Sequence, residues 1–227
     1  MSNEHQNNEK IVVAKAAVAF VKNNDVVGLG TGSTATLAIM ELAKLMNDNF
    51  SIIGVPSSEA TKKLAISLGI PILELEEAHG IDISIDGADE FTTHLELIKG
   101  GGGALFREKI VASLSKNRII ITDSSKLVKK LGAFKVPVEV NPNALQYVLN
   151  ELKNLKGIGN LRILNNQIFI TDNGNYIIDT DFGLIDDPEG LAKELKQIEG
   201  ILAHGIFVKL TTTILMAKNG GIISYQK

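Results

Sequence analysis

Cysteine is absent from this 227-residue chain, which excludes disulfide staples, a thiolate nucleophile and any Cys-ligated metal site. No apolar run approaches the roughly 18–20 residues that a membrane span needs. Neither sign of charge is in large excess. A net charge of -3 leaves no electrostatic footprint for nucleic acid or an anionic membrane. The four histidines, His5, His79, His94 and His204, lack metal-ligand spacing. The first nine residues, MSNEHQNNE, are polar, unlike the apolar centre of a signal peptide. These absences predict a soluble, cytoplasmic protein with no nucleic-acid or membrane partner. Hydrophobic residues at 44% and charged residues at 22% belong to an ordinary globular chain.

From Lys10 onward, helical and strand periods alternate. Ile11, Ala14, Val18 and Val21 form a helical stripe, and Asp25–Leu29 reads as a short buried strand. A helix to about Asn47 follows, with Glu41, Lys44 and Asp48 on its wet face. Ser51–Val55 reads as a strand. Ser57 or Ser58 then caps a helix that turns Ala60, Leu64 and Leu68 inward and stops at Gly69-Ile70-Pro71. Pro71–Leu75 and Ile81–Ile85 are expected strands, Ala104–Ser115 a helix and Arg118–Ile121 a strand. Such alternation predicts an α/β fold, a Rossmann-like and mostly parallel sheet with helices on both faces.

After about Leu131 the rhythm changes. Val136, Val138 and Val140 alternate as a strand, and Asn141-Pro142 opens a helix carrying Leu145, Val148, Leu149 and Leu152. Strands are expected near Leu161–Leu164, Ile168–Thr171 and Tyr176–Thr180, with a DNGN turn at Asp172–Asn175. Asp187-Pro188 opens a further helix with Leu191, Leu195 and Ile198 inside, and Ile206–Leu210 reads as the next strand. Apart from one extra strand this is the ferredoxin-like β-α-β-β-α-β order. The tail from Thr211 supplies two strands around Asn219-Gly220-Gly221 that return to the first domain. The expected division is residues 1–131 with 210–227, and a small α+β domain at 132–209.

Three glycine- or acid-rich segments lie between these elements. Gly28–Thr34 (GLGTGST) joins a strand to a helix. Backbone N–H groups at a helix start, with the helix dipole, favour an anion. Ser33 and Thr34 add hydroxyl donors; a tight turn with a hydroxyl cap is the plainer alternative. A dinucleotide fingerprint needs glycine at Ser33 and an acid after the second strand, where the chain has VPSS. A Walker A loop needs lysine, which is missing. Plain phosphate fits better. Asp86–Glu90 (DGADE) follows the strand Ile81–Ile85, at a carboxyl end of the sheet. Three carboxylates in five residues repel unless solvated, hydrogen-bonded or metal-bound; the spacing leaves a solvated acidic turn and a Mg²⁺ site both open.

Lys99–Ala104 (KGGGGA) is harder to explain as a linker. Four successive glycines are costly to order, so a fold keeps them for unusual dihedrals or close backbone approach. With Lys99 in front and a helix behind, they suggest a second anion nest. Glu108 lies one turn into that helix. Its neighbours Ala104, Val111, Ala112 and Ser115 make a small, apolar face, while Arg107 and Lys109 point elsewhere. A partly desolvated carboxylate is a stronger base, although a surface Glu is the commoner case. Lys126, in DSSK after the strand at Arg118, and Lys10 are further cations, each more ordinary as a solvated surface residue.

GLGTGSTA, DGADE, KGGGGAL-x-REK and DSSK, in this order and spacing, resemble the A-type ribose-5-phosphate isomerases. The likeness extends over essentially the whole chain, including VPSS, KVPVEV and the TDNGN turn. It implies a cytosolic homo-oligomer, dimer or tetramer, of the pentose phosphate pathway, with a small α+β lid or oligomerisation domain and no cofactor or metal. It implies that Thr31, Gly32, Ser33 and Thr34 form a substrate loop. Asp86, Gly87, Ala88 and Asp89 would line the reacting end, with Lys99, Gly100, Gly101 and Gly102 as a second loop. Glu108 would be the proton acceptor and Lys126 a substrate contact, while Lys10 matches a lysine that helps hold phosphate in some members. One departure is visible: Phe207–Thr212 (FVKLTT) replaces the family's usual glycine-and-aspartate stretch, and bears on tail packing and oligomer contacts. The chemistry implied is aldose–ketose isomerisation of ribose 5-phosphate and ribulose 5-phosphate through an enediolate. Lys99 and loop amides would supply the fixed donors, and Asp86 would move protons between oxygens or assist ring opening. Two other readings are a non-catalytic sugar-phosphate sensor and a CoA-transferase-like enzyme. The first should carry a DNA-binding helix-turn-helix or basic face, and the second should set its nucleophilic Glu in another context.

Overall fold

The computed structural model describes residues 3–47 and 49–226; Asp48 lies outside them. In chain order the elements begin α1 (Asn3–Val18), β1 (Val26–Leu29), α2 (Ser33–Leu45), β2 (Ile53–Pro56), α3 (Glu59–Ser67) and β3 (Ile81–Asp86). Next come β4 (Glu90–Phe91), β5 (Leu97–Ile98), α4 (Leu105–Leu114), β6 (Ser115–Asp123), β7 (Val136–Val140), α5 (Leu145–Asn154) and β8 (Ile158–Leu161). The chain continues with β9 (Ile163–Leu164), β10 (Gln167–Ile168), β11 (Tyr176–Asp181), α6 (Pro188–Lys196) and β12 (Ile201–His204). It ends with β13 (Ile206–Phe207), β14 (Thr213–Lys218) and β15 (Gly221–Gln226).

Two compact units result. The first holds residues 1–88, 107–127 and 209–227. Its sheet runs β2-β1-β3-β6-β14-β15, parallel until β15, which pairs antiparallel with β14. From β1 the chain goes outward to β2 and then crosses to β3 on the other side. In open α/β sheets that reversal, at the carboxyl ends of β1 and β3, is the place where ligands bind. One face of the sheet (Val27, Leu29, Ile83, Ile85, Ile119, Ile121) packs with Val13 and Ala17 of α1 and Ile39 and Leu42 of α2. Each fully buried aliphatic side chain there contributes about 1.5–3 kcal/mol. The opposite face receives α4. A Cβ on Gly28 would lie 2.6 Å from Val111 Cγ1, so glycine at this strand position lets the helix approach.

The second unit holds residues 89–106 and 128–208. Its four-stranded antiparallel sheet has the order β12-β7-β11-β8, the order of a ferredoxin-like split unit. Val136, Val138, Val140, Val148, Leu152, Ile178 and Leu195 form its core. A smaller sheet, β13-β5-β4, carries the segment before the glycines.

Several expectations need correction. The packing assigns 89–106 and 128–131 to the second unit, whereas the sequence reading ran residues 1–131 together. Helix α1 starts at Asn3, well before Lys10, and Ile11 is exposed while Val13 and Ala17 are buried. Ala60 is exposed, and Thr61 and Ala65 are the buried positions of α3. Pro71–Leu75 forms no strand, only one bridge from Ile72 to Gly54. The last strand of the split unit is Ile201–His204, and Ile206–Phe207 joins the smaller sheet. The hairpin strands before the TDNGN turn are shorter than expected, at Ile163–Leu164 and Gln167–Ile168. The strand misses share a cause: period alone does not say which sheet a short apolar run joins.

Candidate active site

In the first unit the turn after β1 and the end of β3 are locked together. Asp86 Oδ1 accepts from the N–H of Thr31 at 3.2 Å and of Gly87 at 2.7 Å. A Cβ on Gly30 would lie 2.2 Å from that oxygen, so glycine is what allows the approach. Thr31 turns its hydroxyl away into a cluster, 2.9 Å from Ser58 Oγ and 2.8 Å from Ser57 Oγ. Thr61 Oγ1 closes the cluster by donating to the Gly30 carbonyl at 2.9 Å. The VPSS segment therefore acts as scaffolding for the turn, and Thr31 offers its side chain to that scaffold. Gly32, with φ at 110°, caps α2 without a side-chain hydrogen bond, and Ser33 is exposed beside it. Lys10 reaches this point from α1, donating to Ser33 Oγ at 3.0 Å.

Helix α1 also braces the end of β6. Glu9, buried, accepts from the N–H and hydroxyl of Ser124, both at 2.9 Å, and from the Asn219 N–H at 3.2 Å. Burial alone raises the proton affinity of Glu9. The Ser124 donors, the Asn219 N–H and His5 outweigh it and hold the pKa below the usual glutamate value. This anchor fixes the single turn Ser124–Lys126 and with it the backbone of Lys126. Glu108 lies in the first turn of α4 and is 3% exposed, on one face with buried Val111; the helix ends at Leu114, so Ser115, expected on that face, begins β6 instead. Arg107 points elsewhere and pairs with Glu59 at 2.8 Å; its hydrogen bond holds the Glu59 pKa below the usual value.

In the second unit Lys99 is 3% exposed, and its Nζ stands over the Phe207 ring at 5.5 Å. Phe207, the first residue of the Phe207–Thr212 segment, thus packs against Lys99 itself. Gly100 and Gly103 take φ of 97° and 83°, the left-handed region that favours glycine. The Gly101 N–H donates to Asp89 Oδ2 at 2.8 Å. Glu90 is buried and accepts from the N–H groups of Gly132 at 2.8 Å and Phe134 at 2.6 Å. Each DGADE carboxylate therefore already takes backbone donors. Among the described residues no group of three or more His, Asp or Glu side chains is arranged to hold a metal ion.

Residues 53–221 match the family model described as ribose 5-phosphate isomerase A (phosphoriboisomerase A). The chain belongs to this family. A ribose-5-phosphate isomerase A of Sinorhizobium medicae is 45% identical over 215 residues, 92% of this chain and 93% of that protein. The solved structure of ribose 5-phosphate isomerase A from Methanocaldococcus jannaschii superposes with TM-score 0.93 at 43% identity, covering 100% of both chains. A D-ribose-5-phosphate isomerase solved in complex with phospho-erythronic acid gives TM-score 0.93 at 37% identity, covering 98% and 99%.

Family membership leaves three structural residues that the sequence reading passed over: Glu9, Glu90 and Arg162. Glu9 precedes buried Val13 by one helical turn, and an acid on an apolar stripe is a readable signal. Glu90 was counted only as one of three neighbouring acids. Arg162 belongs to no motif. No helix among the described residues is long and apolar enough to cross a membrane.

Proposed function

We propose that the protein is a ribose-5-phosphate isomerase, interconverting D-ribose 5-phosphate and D-ribulose 5-phosphate. The observation that carries this reading is the family match together with the buried, motif-borne carboxylate of Glu108. Glu108 removes the C2 proton of the open-chain aldose and returns it to C1, leaving the carbonyl at C2. An enediolate forms between these steps, and its oxygen needs fixed donors. Lys99 and the amides of Gly100 and Gly102 take this role, while the Gly101 N–H is held by Asp89. Asp86 moves protons between the two oxygens or assists ring opening, with Gly87, Ala88 and Asp89 lining the reacting end.

The substrate phosphate binds at the turn Thr31, Gly32, Ser33, Thr34, assisted by Lys10 and Lys126. The uncapped start of α2 and the Lys10–Ser33 hydrogen bond support that assignment. Thr31 shapes the turn rather than offering a free donor, because Asp86 holds its N–H and the Ser57–Ser58 cluster its hydroxyl. The reaction runs without cofactor or metal in the cytoplasm. The protein works as a homo-oligomer, dimer or tetramer, a reading supported by exposed Ile158, Ile163, Leu164, Ile168 and Ile170 on the second unit. A sedimentation experiment showing only monomer would remove that last point.

Incubating the protein with ribose 5-phosphate and measuring ketopentose tests the activity. Turnover is expected; saturable binding with no ketopentose would instead mark a sugar-phosphate sensor.

A further inference from the structure

The loop that carries Lys99 is gripped by a side chain outside every motif named above. Arg162, between β8 and β9, donates through Nη1 to the carbonyl oxygens of Gly100 and Gly101, each at 3.1 Å. Its other edge is held by Asp179 of β11, with Nε donating to Oδ2 at 2.9 Å and Nη2 to Oδ1. The guanidinium also stands over the Phe169 ring, 5.7 Å from its centroid. That ring occupies the space a Cβ on Gly103 would need, at 2.4 Å.

A trans peptide is planar, so its N–H points opposite to its C=O. The Gly100 carbonyl shares a peptide with the Gly101 N–H, which donates to Asp89; that plane is fixed at both ends. The Gly101 carbonyl shares a peptide with the Gly102 N–H. Holding this carbonyl on Arg162 therefore aims the Gly102 N–H away from the guanidinium. Glycine peptides left alone sample many more backbone conformations. Hydrogen bonds from a cation also polarise both peptides and strengthen their N–H groups as donors.

We propose that Arg162, itself set by Asp179, is a positioning residue for the isomerisation: it braces the Gly100 carbonyl and orients and polarises the Gly101–Gly102 peptide, whose N–H stabilises the enediolate. The proposal rests on the reading that the Lys99 loop holds that charge. A misplacement on the order of 1 Å can cost about 10²-fold in rate, while phosphate binding at the other loop needs nothing from Arg162.

The test measures kcat and KM for Arg162→Met, Arg162→Lys and Asp179→Asn beside Lys99→Ala, with inhibition by inorganic phosphate and by phospho-erythronic acid. Arg162→Met should lower kcat by roughly 10- to 100-fold, with KM and phosphate inhibition nearly unchanged. Phospho-erythronic acid, whose carboxylate places charge at the enediolate end, should weaken in step with kcat. Arg162→Lys should give a smaller loss, because a point charge cannot span two carbonyls and a carboxylate. Should Arg162→Met not fold, Asp179→Asn gives the same readout. Lower thermal stability with kcat and inhibitor affinity intact would overturn the proposal. If Lys99→Ala loses kcat while the Arg162 and Asp179 variants keep it, this proposal fails alone. If Lys99→Ala keeps kcat, the underlying reading of the loop fails.

Discussion

Replacing Ser33 by Ala and Thr34 by Val separates the two ends of the substrate. Both residues open α2, whose Gly32 cap provides no side-chain hydrogen bond, so their hydroxyls and the first amides are what an anion meets. A hydrogen bond to a charged group contributes about 1.5–3 kcal/mol, and 1.36 kcal/mol is a tenfold change. Two lost donors would thus weaken binding between about 10²- and 10⁴-fold if additive. Adjacent donors to one phosphate are not independent, and water replaces part of the loss, so about 10²-fold is expected. The contact exists in ground and transition states alike, so the loss falls on KM with kcat nearly unchanged. Initial rates of ketopentose formation across a range of ribose 5-phosphate concentrations give both constants. Unphosphorylated ribose should be a very poor substrate, and the double variant should hardly worsen it. A loss of kcat at constant KM, or an equal loss with ribose, would refute the phosphate assignment and move the loop to the reacting end.

Lys99→Ala should instead lower kcat, because charge on the enediolate oxygen develops only during reaction. Lys10→Ala should raise KM by only a few fold, since Lys10 is partly exposed, and added salt should shrink the difference. Activity should survive exhaustive dialysis against EDTA; loss on chelation with recovery on Mg²⁺ would make the DGADE carboxylates ligands. Glu9→Gln should flatten the acid limb of stability. Its folded pKa lies below the unfolded one, so its stabilisation is present above the usual glutamate value and is lost as pH falls through the folded pKa. Chemical denaturation at a series of pH values checks this, and an unchanged acid limb would remove Glu9 as an anchor.

The legible parts of this protein are those encoded by local spacing. The turn Gly30–Thr34 after a buried strand, the acid ending β3 and the glycines before Glu108 are each contiguous, so strand and helix periods placed them. What escaped is encoded by distance along the chain. Glu9 meets Ser124 across 115 positions, and Arg162 meets Gly100 across 62; no periodicity carries such pairings. Thr31 shows the same limit at shorter range. Its place in the motif was readable, but the turn of its hydroxyl toward Ser57, Ser58 and Thr61 depends on β2 lying beside β1. The strand at Ile206–Leu210 failed because Ile201–His204 is as apolar and competes for the same sheet edge.

The role of Glu108 is tested most directly by the kcat of Glu108→Gln for ribose 5-phosphate, with circular dichroism confirming the fold. Glutamine keeps the size and polarity of the buried side chain but cannot accept a proton. The account predicts a fall of roughly 10²-fold or more with little change in KM. Near-normal turnover in a folded variant would contradict it and take the proton transfer away from Glu108.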